Sequence, residues 1–539
     1  MTNIINPILP GFNPDPSILR VGEDYYIATS TFEWFPGVQI HHSRDLVHWR
    51  LITRPLNRTS QLNMTGNPNS CGVWAPCLSY SDGLFFLIYT DVKTFRSEFK
   101  DAHNYLVTSR DILGEWSDPI YLNSSGFDPS LFHDTDGRKW LLNMLWDHRK
   151  GKHSFGGILL QEYSPEQQKL VGPIKNIFRG TEIQKVEGPH LYKHNGYYYL
   201  LTAEGGTVLR HSVTMARSKN IEGPYEVDPE NPILTSYNNP ELKLQRAGHG
   251  SIVETQNGEW YMAHLCGRHI PSRGRCTMGR ETAIQKMHWT EDGWLRLEVG
   301  GNEPQVEVPA PRLPLHPWKP DPVRDDFDRE ELNIHFQFLR EKPKEDTLSL
   351  TERPGFLRLK GRESLNSHHH QALVARRQQS FFYTAETCID FQPDSFQQMA
   401  GLICMYDDLT FYYLYLTWEE GKGRCTDVLT ILDGAAEFLL DEKISIPDQG
   451  MYYLKAEVHY DKLRFFHSAD GKDWKPIGPD YDYSTLSDEF KCWGGDAHFT
   501  GSFVGLCCQD LTGRRKPADF DYFEYREGLN MNNPVNRKL

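Results

Sequence analysis

Three acidic residues stand at or next to the position before a proline, at widely separated points of this chain. Asp15 lies in Asn-Pro-Asp-Pro, Asp128 lies in Phe-Asp-Pro, and Glu187 lies in Glu-Gly-Pro. Taken alone, Asp15 fits an Asx turn at the start of a strand. Three acids in one kind of sequence position favour catalysis instead, because acid–base hydrolysis needs several carboxyl groups close together.

The chemistry that three such acids support best is hydrolysis of a glycosidic bond with inversion. One carboxylic acid protonates the leaving oxygen, and a carboxylate activates a water on the opposite face of the sugar. A third acid can raise the pKa of the proton donor by like-charge repulsion and can hold its orientation. Glu187 suits the proton donor because a glutamate side chain reaches further than an aspartate.

The acids belong to a repeat that fills the first three-fifths of the chain. Its slots are marked by four prolines and one glycine at intervals of 53–61 residues, namely Pro16, Pro76, Pro129, Pro189 and Gly250. After each slot, a short apolar segment runs to a glycine-containing turn and then to an aromatic segment, which is the pattern of a β-hairpin. Five such units predict a five-bladed β-propeller.

A propeller would bring the slots of all five units together, because the innermost strand of every blade borders one axis. The residues at or just before the slots are Asp15, Trp74, Asp128, Glu187 and His249. Trp74 is then either a core residue or a face on which a sugar ring stacks. His249 is either a hydrogen-bonding wall residue or a ligand for a bound cation.

Arg280 falls where the fifth unit should return toward the axis, in the segment Gly-Arg-Glu-Thr. One interpretation is a surface salt bridge. The other is a guanidinium that holds a sugar hydroxyl and influences the neighbouring carboxylates.

Composition excludes several classes of function. The net charge of −14 argues against a nucleic-acid partner, because phosphate binding requires a basic face. No apolar run approaches the length of a membrane span. The first residues lack the charged and apolar regions of a secretory signal, so we expect a cytoplasmic protein. The ten cysteines show no zinc spacing. We therefore expect no cofactor, with a divalent cation near His249 as the alternative.

The chain divides into two predicted domains at a proline-dense linker over residues 308–317. Residues 1–320 form the propeller. In residues 321–539 the period of the repeat is lost, while short strand-like segments bounded by turn signals continue. This pattern predicts a β-sandwich of jelly-roll type, and the fold class is all-β.

The sequence strongly resembles glycoside hydrolase family 43, and within it the bacterial β-xylosidases with a second β-sandwich domain. The resemblance covers nearly the whole chain, and the matching motifs are specific. They include Gly-Phe-Asn-Pro-Asp-Pro-Ser at 11–17, Ser-Thr-Phe-Glu-Trp-Phe-Pro at 30–36, Val-Trp-Ala-Pro at 73–76, Gly-Phe-Asp-Pro-Ser at 126–130, Glu-Gly-Pro-His at 187–190, Ala-Glu-Gly-Gly-Thr at 203–207 and Gly-Arg-Glu-Thr at 279–282.

The resemblance implies roles for individual residues. Asp15 would be the general base, Glu187 the general acid, and Asp128 the residue that tunes and orients the acid. Positions that wall the sugar-binding subsite would be Phe32, Trp74, Thr207, His249 and Arg280. Phe503 matches an aromatic residue that the second domain contributes to the pocket, and the resemblance also implies a homo-oligomer.

We therefore expect an exo-acting, inverting β-1,4-xylosidase that removes terminal xylose from short xylooligosaccharides. An α-L-arabinofuranosidase, or an enzyme with both activities, is the nearest alternative, because the two pentoses present similar hydroxyl groups. A non-catalytic carbohydrate-binding propeller is an alternative from another class. It would retain Trp74 but would not need three acids at one slot of the repeat.

Overall fold

The computed structural model describes residues 2–270, 274–491 and 498–528. It divides the chain into two compact units. The first comprises Met1–Arg268 and Arg280–Trp318, and the second comprises His269–Gly279 and Lys319–Leu539. The break after Trp318 lies two residues before the predicted boundary. The assignment of His269–Gly279 to the second unit was not predicted from the sequence.

The first unit consists of five antiparallel sheets in chain order, which we number as blades 1 to 5. The strands of blade 1 are Ser17–Val21, Asp24–Thr29, Gln39–Ser43 and Arg50–Thr53. The strands of blade 2 are Gly72–Ser81, Leu84–Thr94, Asp101–Ser109 and Ile120–Asn123. The strands of blade 3 are Ser130–His133, Lys139–Trp146, Phe155–Ser164 and Lys169–Phe178.

Blades 4 and 5 follow the same plan. The strands of blade 4 are Glu187–His194, Tyr197–Glu204, Ser212–Ser218 and Glu226–Val227, with Leu234–Thr235 beside the third. The strands of blade 5 are Gln245–Glu254, Trp260–Gly267, Glu281–Trp289 and Leu295–Leu297. The first strand of each blade is its inner strand, and inner strands of successive blades are neighbours, with that of blade 5 beside that of blade 1. The predicted five-bladed propeller is confirmed.

The N-terminal segment closes the ring by pairing with the end of the unit. Asn3–Ile5 pairs antiparallel with Glu307–Pro309. The buried Asn6 side chain donates to the carbonyl of Ile284 at 2.7 Å and to that of Gln305 at 2.9 Å. These hydrogen bonds attach the N-terminal segment to blade 5 and to the segment that follows it.

Hairpin turns follow the local sequence. Asn195 (φ 45°) and Gly196 (φ 80°) connect the first two strands of blade 4. Both residues lie in the left-handed region, as a tight two-residue hairpin turn requires, and Asn and Gly are the residues that reach it at least cost. The Asn-Gly pair thus sets the register of the strand that begins at Glu187.

The second unit contains two antiparallel sheets. The first sheet runs in the order Leu348–Ser349, Leu357–Lys360, Pro517–Glu527, Phe382–Phe391, Tyr452–His459, Lys462–Ser468 and Lys475–Asp482, with Arg324–Asp325 beside Pro517–Glu527. The second runs in the order Ala372–Arg377, Phe503–Asp510, Gln398–Asp407, Thr410–Glu419, Gly423–Leu432 and Ala435–Phe438, with Ile444–Ser445 beside Gly423–Leu432. Alternate residues of Tyr452–His459 are buried between the sheets. The predicted β-sandwich is confirmed.

Helical structure is a minor part of the described chain. A 3₁₀ turn spans Tyr483–Thr485, and one short α-helix spans Asp488–Lys491. Within the described ranges, no helix has the length and apolar character needed to cross a membrane.

Candidate active site

One backbone feature recurs at the slot of every blade of the first unit. The five residues immediately before Pro16, Pro76, Pro129, Pro189 and Gly250 all have left-handed backbone angles. They are Asp15 (φ 56°), Ala75 (φ 29°), Asp128 (φ 54°), Gly188 (φ 55°) and His249 (φ 50°). In blades 2, 4 and 5 the register with the second strand also shifts at this point.

This conformation is costly and therefore has to be supported by the surrounding structure. A residue before proline normally adopts an extended backbone, and a residue other than glycine at positive φ costs on the order of 1–3 kcal/mol. Side chains of a regular strand point to its two faces in turn. A bulge of this kind interrupts that order and changes the direction of one side chain. In blades 2 and 4 the left-handed position is occupied by Ala75 and Gly188, and the side chain of interest, Trp74 or Glu187, comes one residue earlier.

Asp15 is buried and is held through both of its carboxylate oxygens. Oδ1 accepts a hydrogen bond from Nη1 of Arg280 at 2.9 Å, and Nδ1 of His249 lies 3.8 Å from the same oxygen. Oδ2 accepts a hydrogen bond from Oγ of Ser30 at 2.7 Å. The cationic guanidinium and the hydroxyl donor both stabilise the ionised carboxylate, which is the form that a general base requires.

The pKa values of Asp128 and Glu187 are both raised by their surroundings. Burial, followed by the charges of Asp128 and Asp15, raises the pKa of Glu187 well above its usual range. Burial and the charge of Asp15 also raise the pKa of Asp128, while the backbone N–H of Gly188, which donates to Oδ2 of Asp128 at 3.0 Å, opposes that rise. Both carboxyl groups therefore favour the protonated form more than a free acid does, and the charge of Asp128 adds to this effect at Glu187.

Aromatic rings line the same region of the first unit. Trp74 contacts Phe32, with ring centroids 5.8 Å apart, and Phe127, with centroids 5.4 Å apart. The indole Nε1 donates to the carbonyl of Ser70 at 2.9 Å, which fixes the plane of the ring. The guanidinium of Arg280 lies 5.2 Å from the centre of the Phe32 ring. Apolar ring faces thus stand beside the charged groups, as a sugar-binding site requires.

Thr207 and His249 complete the set of predicted subsite residues in the first unit. Oγ1 of Thr207 accepts from Nη1 of Arg280 at 3.2 Å, so one guanidinium nitrogen contacts both Thr207 and Asp15. Burial lowers the pKa of His249, which leaves the imidazole neutral. A Cβ atom at Gly188 would lie 3.0 Å from that imidazole, so the absence of a side chain there lets the ring approach the strand that bears Glu187.

The comparisons with known proteins agree with this geometry. Residues 4–295 match the model of glycosyl hydrolases family 43, and residues 324–526 match that of the β-xylosidase C-terminal concanavalin A-like domain. The chain belongs to glycosyl hydrolase family 43. The resemblance stated from the motifs is confirmed.

Similar proteins in the family span the full length of this chain. A crystal structure of xylan β-1,4-xylosidase from Bacillus halodurans C-125 is 60% identical, with a TM-score of 0.95, over 97% of this chain and 100% of that one. A β-xylosidase of Bacillus subtilis (strain 168) is 55% identical over 97% of this chain and 99% of its own. Xylosidase/arabinosidase 43B of Humicola insolens is 53% identical over 98% of each.

Two residues of this family 43 site were not predicted from the sequence. Ser30 contacts the carboxylate of Asp15, and Phe127 packs against Trp74. Phe127 directly precedes Asp128, so its place in the repeat was a usable signal. Ser30 lies outside the slot of the repeat, and its only signal was its presence in the matching segment 30–36.

Phe503 lies in the second unit, at the start of strand Phe503–Asp510. It is fully buried, and the guanidinium of Arg377 lies 5.1 Å from the centre of its ring. In the sheet it stands opposite Arg377 on one side and Met405 on the other. Its contribution to a substrate pocket stays a prediction.

The described residues, which leave out 271–273 and 492–497 inside the chain, contain no group of three His, Cys, Asp or Glu side chains arranged to hold a metal ion. His249 has Asp15 beside it and the ring of His190 at 6.3 Å.

The coupling of Asp128 with Glu187 makes a prediction about pH dependence. An acid catalyst is active only while protonated, so activity falls as pH rises through its pKa. Asp128→Asn removes a negative charge that raises the pKa of Glu187, so the alkaline limb of kcat/KM should move to lower pH. The pH profile on an unactivated xyloside measures this shift.

Asp134 provides the matched control. It is a buried aspartate of the same blade, bound to Lys193 at 2.6 Å and to Tyr198 at 2.7 Å. Asp134→Asn should leave the alkaline limb where it is. If the alkaline limb does not move in Asp128→Asn, Asp128 has a structural role and does not tune the pKa of Glu187.

Proposed function

We propose that this family 43 protein is an exo-acting, inverting β-1,4-xylosidase that removes terminal xylose from short xylooligosaccharides. The observation that carries the proposal is the contrast among three carboxyl groups at one slot of the propeller. Asp15 accepts hydrogen bonds from Arg280 and Ser30, whereas burial and the charge of Asp128 raise the pKa of Glu187. Two acids in opposite protonation states are what glycoside hydrolysis needs.

In the proposed reaction, the protonated carboxyl of Glu187 donates its proton to the glycosidic oxygen as the bond to the anomeric carbon breaks. The carboxylate of Asp15 accepts a proton from a water molecule, whose oxygen attacks the anomeric carbon from the opposite face. A β-xyloside therefore gives α-xylose as the first-formed anomer. Asp128 keeps Glu187 protonated before the reaction and orients the backbone beside it through Gly188.

The sugar-binding groups follow from the same geometry. The ring faces of Trp74 and Phe32 provide apolar surface for the pyranose, and Arg280 provides a charged donor for its hydroxyl groups. Thr207 and His249 fix the position of that donor and of Asp15. One consequence is that the group that binds the sugar also stabilises the charge of the base.

An α-L-arabinofuranosidase activity in addition to the xylosidase activity is the second candidate. Its support is the 53% identity to a protein named for both activities. The two pentoses present similar hydroxyl groups, so one set of hydroxyl-binding groups could serve both. A non-catalytic sugar-binding propeller has less support, since it would have no use for three buried carboxyl groups. The cytoplasmic location and the homo-oligomeric state stay predictions.

Parallel kinetics on an aryl β-xyloside and an aryl α-L-arabinofuranoside test the proposal. We expect the higher kcat/KM on the xyloside, and we expect NMR of the first-formed product to show the α-anomer of xylose. A higher kcat/KM on the arabinofuranoside would make α-L-arabinofuranosidase the first candidate and β-xylosidase the second. A first-formed β-anomer would overturn the roles of base and acid, and an inactive protein that binds xylobiose would favour the non-catalytic alternative.

Single substitutions of the two catalytic acids should differ in their dependence on the leaving group. Glu187→Ala should slow xylobiose hydrolysis by roughly 100-fold or more but spare activated aryl xylosides, because only a poor leaving group needs a proton. Asp15→Ala should slow both substrates, since water activation is lost in each case. Equal losses across leaving groups in Glu187→Ala would show that another residue is the acid.

Substitution of Phe503 tests whether the enzyme acts only on terminal sugars. A pocket that removes single terminal sugars must be closed on one side, and the family resemblance assigns part of that closure to Phe503. Loss of a fully buried ring costs roughly 1.5–3 kcal/mol of contact, so Phe503→Ala should lower kcat/KM by about 10- to 100-fold. Steady-state kinetics beside thermal melting measures the effect.

The melting curve separates the two roles of that ring. Near-normal kinetics with a large fall in Tm would show that Phe503 serves the core of the sandwich. Met405, which stands opposite it in the same sheet, is the control, because Met405→Ala removes core volume without removing an aromatic ring.

A further inference from the structure

Ser30 occupies a central position in the hydrogen bonding of the site, although no role follows for it from the repeat. It directly follows strand Asp24–Thr29 of blade 1 and is fully buried. Its backbone N–H donates to the carbonyl of Pro14 at 3.1 Å, which places its side chain beside Asp15. Its Oγ atom lies 2.7 Å from Oδ2 of Asp15 and 2.7 Å from the backbone nitrogen of Ala75.

The direction of these two hydrogen bonds is fixed by their chemistry. A backbone N–H can only donate, so Oγ of Ser30 accepts from Ala75. The hydroxyl has a single proton, and the carboxylate of Asp15 is the acceptor that receives it. Hydrogen bonds to an ionised oxygen are short and about twice as strong as neutral ones, which fits the 2.7 Å separation.

The two oxygens of Asp15 therefore have separate partners. Oδ2 is bound by the neutral hydroxyl of Ser30, and Oδ1 is bound by the charged Arg280. Two donors acting on different oxygens fix the rotation of the carboxylate about its Cβ–Cγ bond, which one donor alone would leave free. The lone pairs that remain on the carboxylate then face a constant direction.

We propose that Ser30 is a positioning residue for the general base. It holds the carboxylate of Asp15 in the rotation that accepts a proton from the attacking water. The inference rests on the proposed function, in which Asp15 is that base. Through Ala75, the same hydroxyl also connects the base to Trp74, so the sugar-stacking ring and the carboxylate share one anchor.

A purely structural role would make different predictions. Ser30 also forms a bridge between blade 1 and blade 2, and such bridges stabilise the propeller whether or not a catalytic group is attached. Ser17 forms a comparable bridge, because its Oγ accepts from the backbone N–H of Leu78 at 3.1 Å and it is equally enclosed. Ser17→Ala is therefore the matched control for loss of a buried hydroxyl between these two blades.

The experiment compares Ser30→Ala, Ser17→Ala and the unsubstituted protein by thermal melting, kcat, KM and the pH profile on an aryl β-xyloside. In Ser30→Ala we expect kcat to fall roughly 10- to 100-fold, since a hydrogen bond to a charged group is lost. KM should change less than about twofold, because the base acts in the chemical step. The acid limb of the profile should move to higher pH, because loss of a donor favours the protonated, inactive carboxyl group.

Ser17→Ala should leave kcat and the acid limb unchanged even where it lowers Tm. Ser30→Cys, which keeps the size of the side chain and a weak donor, should give an intermediate kcat. If Ser30→Ala does not fold, Ser30→Cys takes its place, with a smaller shift of the same sign.

Three results would overturn the inference. They are an acid limb that does not move in the folded Ser30 variant, a raised KM with normal kcat, and an equal loss of kcat in Ser17→Ala. Asp15→Ala separates this outcome from failure of the proposed function. If Asp15→Ala remains active, Asp15 is not the base; if it is inactive while Ser30→Ala is normal, only the role of Ser30 is wrong.

Discussion

The left-handed backbone at the slot of each blade is the constraint on which the rest of the first unit depends. Asp15, Asp128 and His249 are held at positive φ, where the backbone of residues other than glycine is strained. The inner strands of a closed propeller confine the backbone on both sides and so maintain this strain. In blades 2, 4 and 5 a register shift at the slot also takes a side chain out of the regular alternation of the strand.

Two carboxyl groups in this confined space then have different electrostatic surroundings. Asp15 and Glu187 are both carboxyl groups of inner-strand segments. Arg280 and Ser30 donate hydrogen bonds to the first, whereas burial and the charge of Asp128 act on the second. Burial strengthens each of these interactions, since little water is present to screen them. The division of labour that we propose between Asp15 as base and Glu187 as acid thus depends on neighbouring groups and not on residue type.

Much of the fold and of the site could be predicted before the structure was known. The spacing of Pro16, Pro76, Pro129, Pro189 and Gly250 was sufficient to predict five blades, because each hairpin carries its own turn signal. The same spacing selected Asp15, Asp128, Glu187 and His249. Ser30 was missed because it reaches Asp15 from the end of the second strand of blade 1, and Phe127 because it packs against Trp74 from the next blade. The repeat predicts which residues share a slot. It does not predict which side chains approach that slot from a neighbouring strand.

The period, the turns and the family motifs could be identified in the amino-acid sequence, because they depend on residues close together in the chain. The raised pKa of Glu187 depends on tertiary structure, since burial, Asp128 and Asp15 cause it and the two aspartates are distant in sequence. Tertiary structure likewise decided that Arg280 contacts Asp15 across 265 positions, and that His269–Gly279 belongs to the second unit. Contacts of this kind follow from ring closure and burial, which no local pattern of residues encodes.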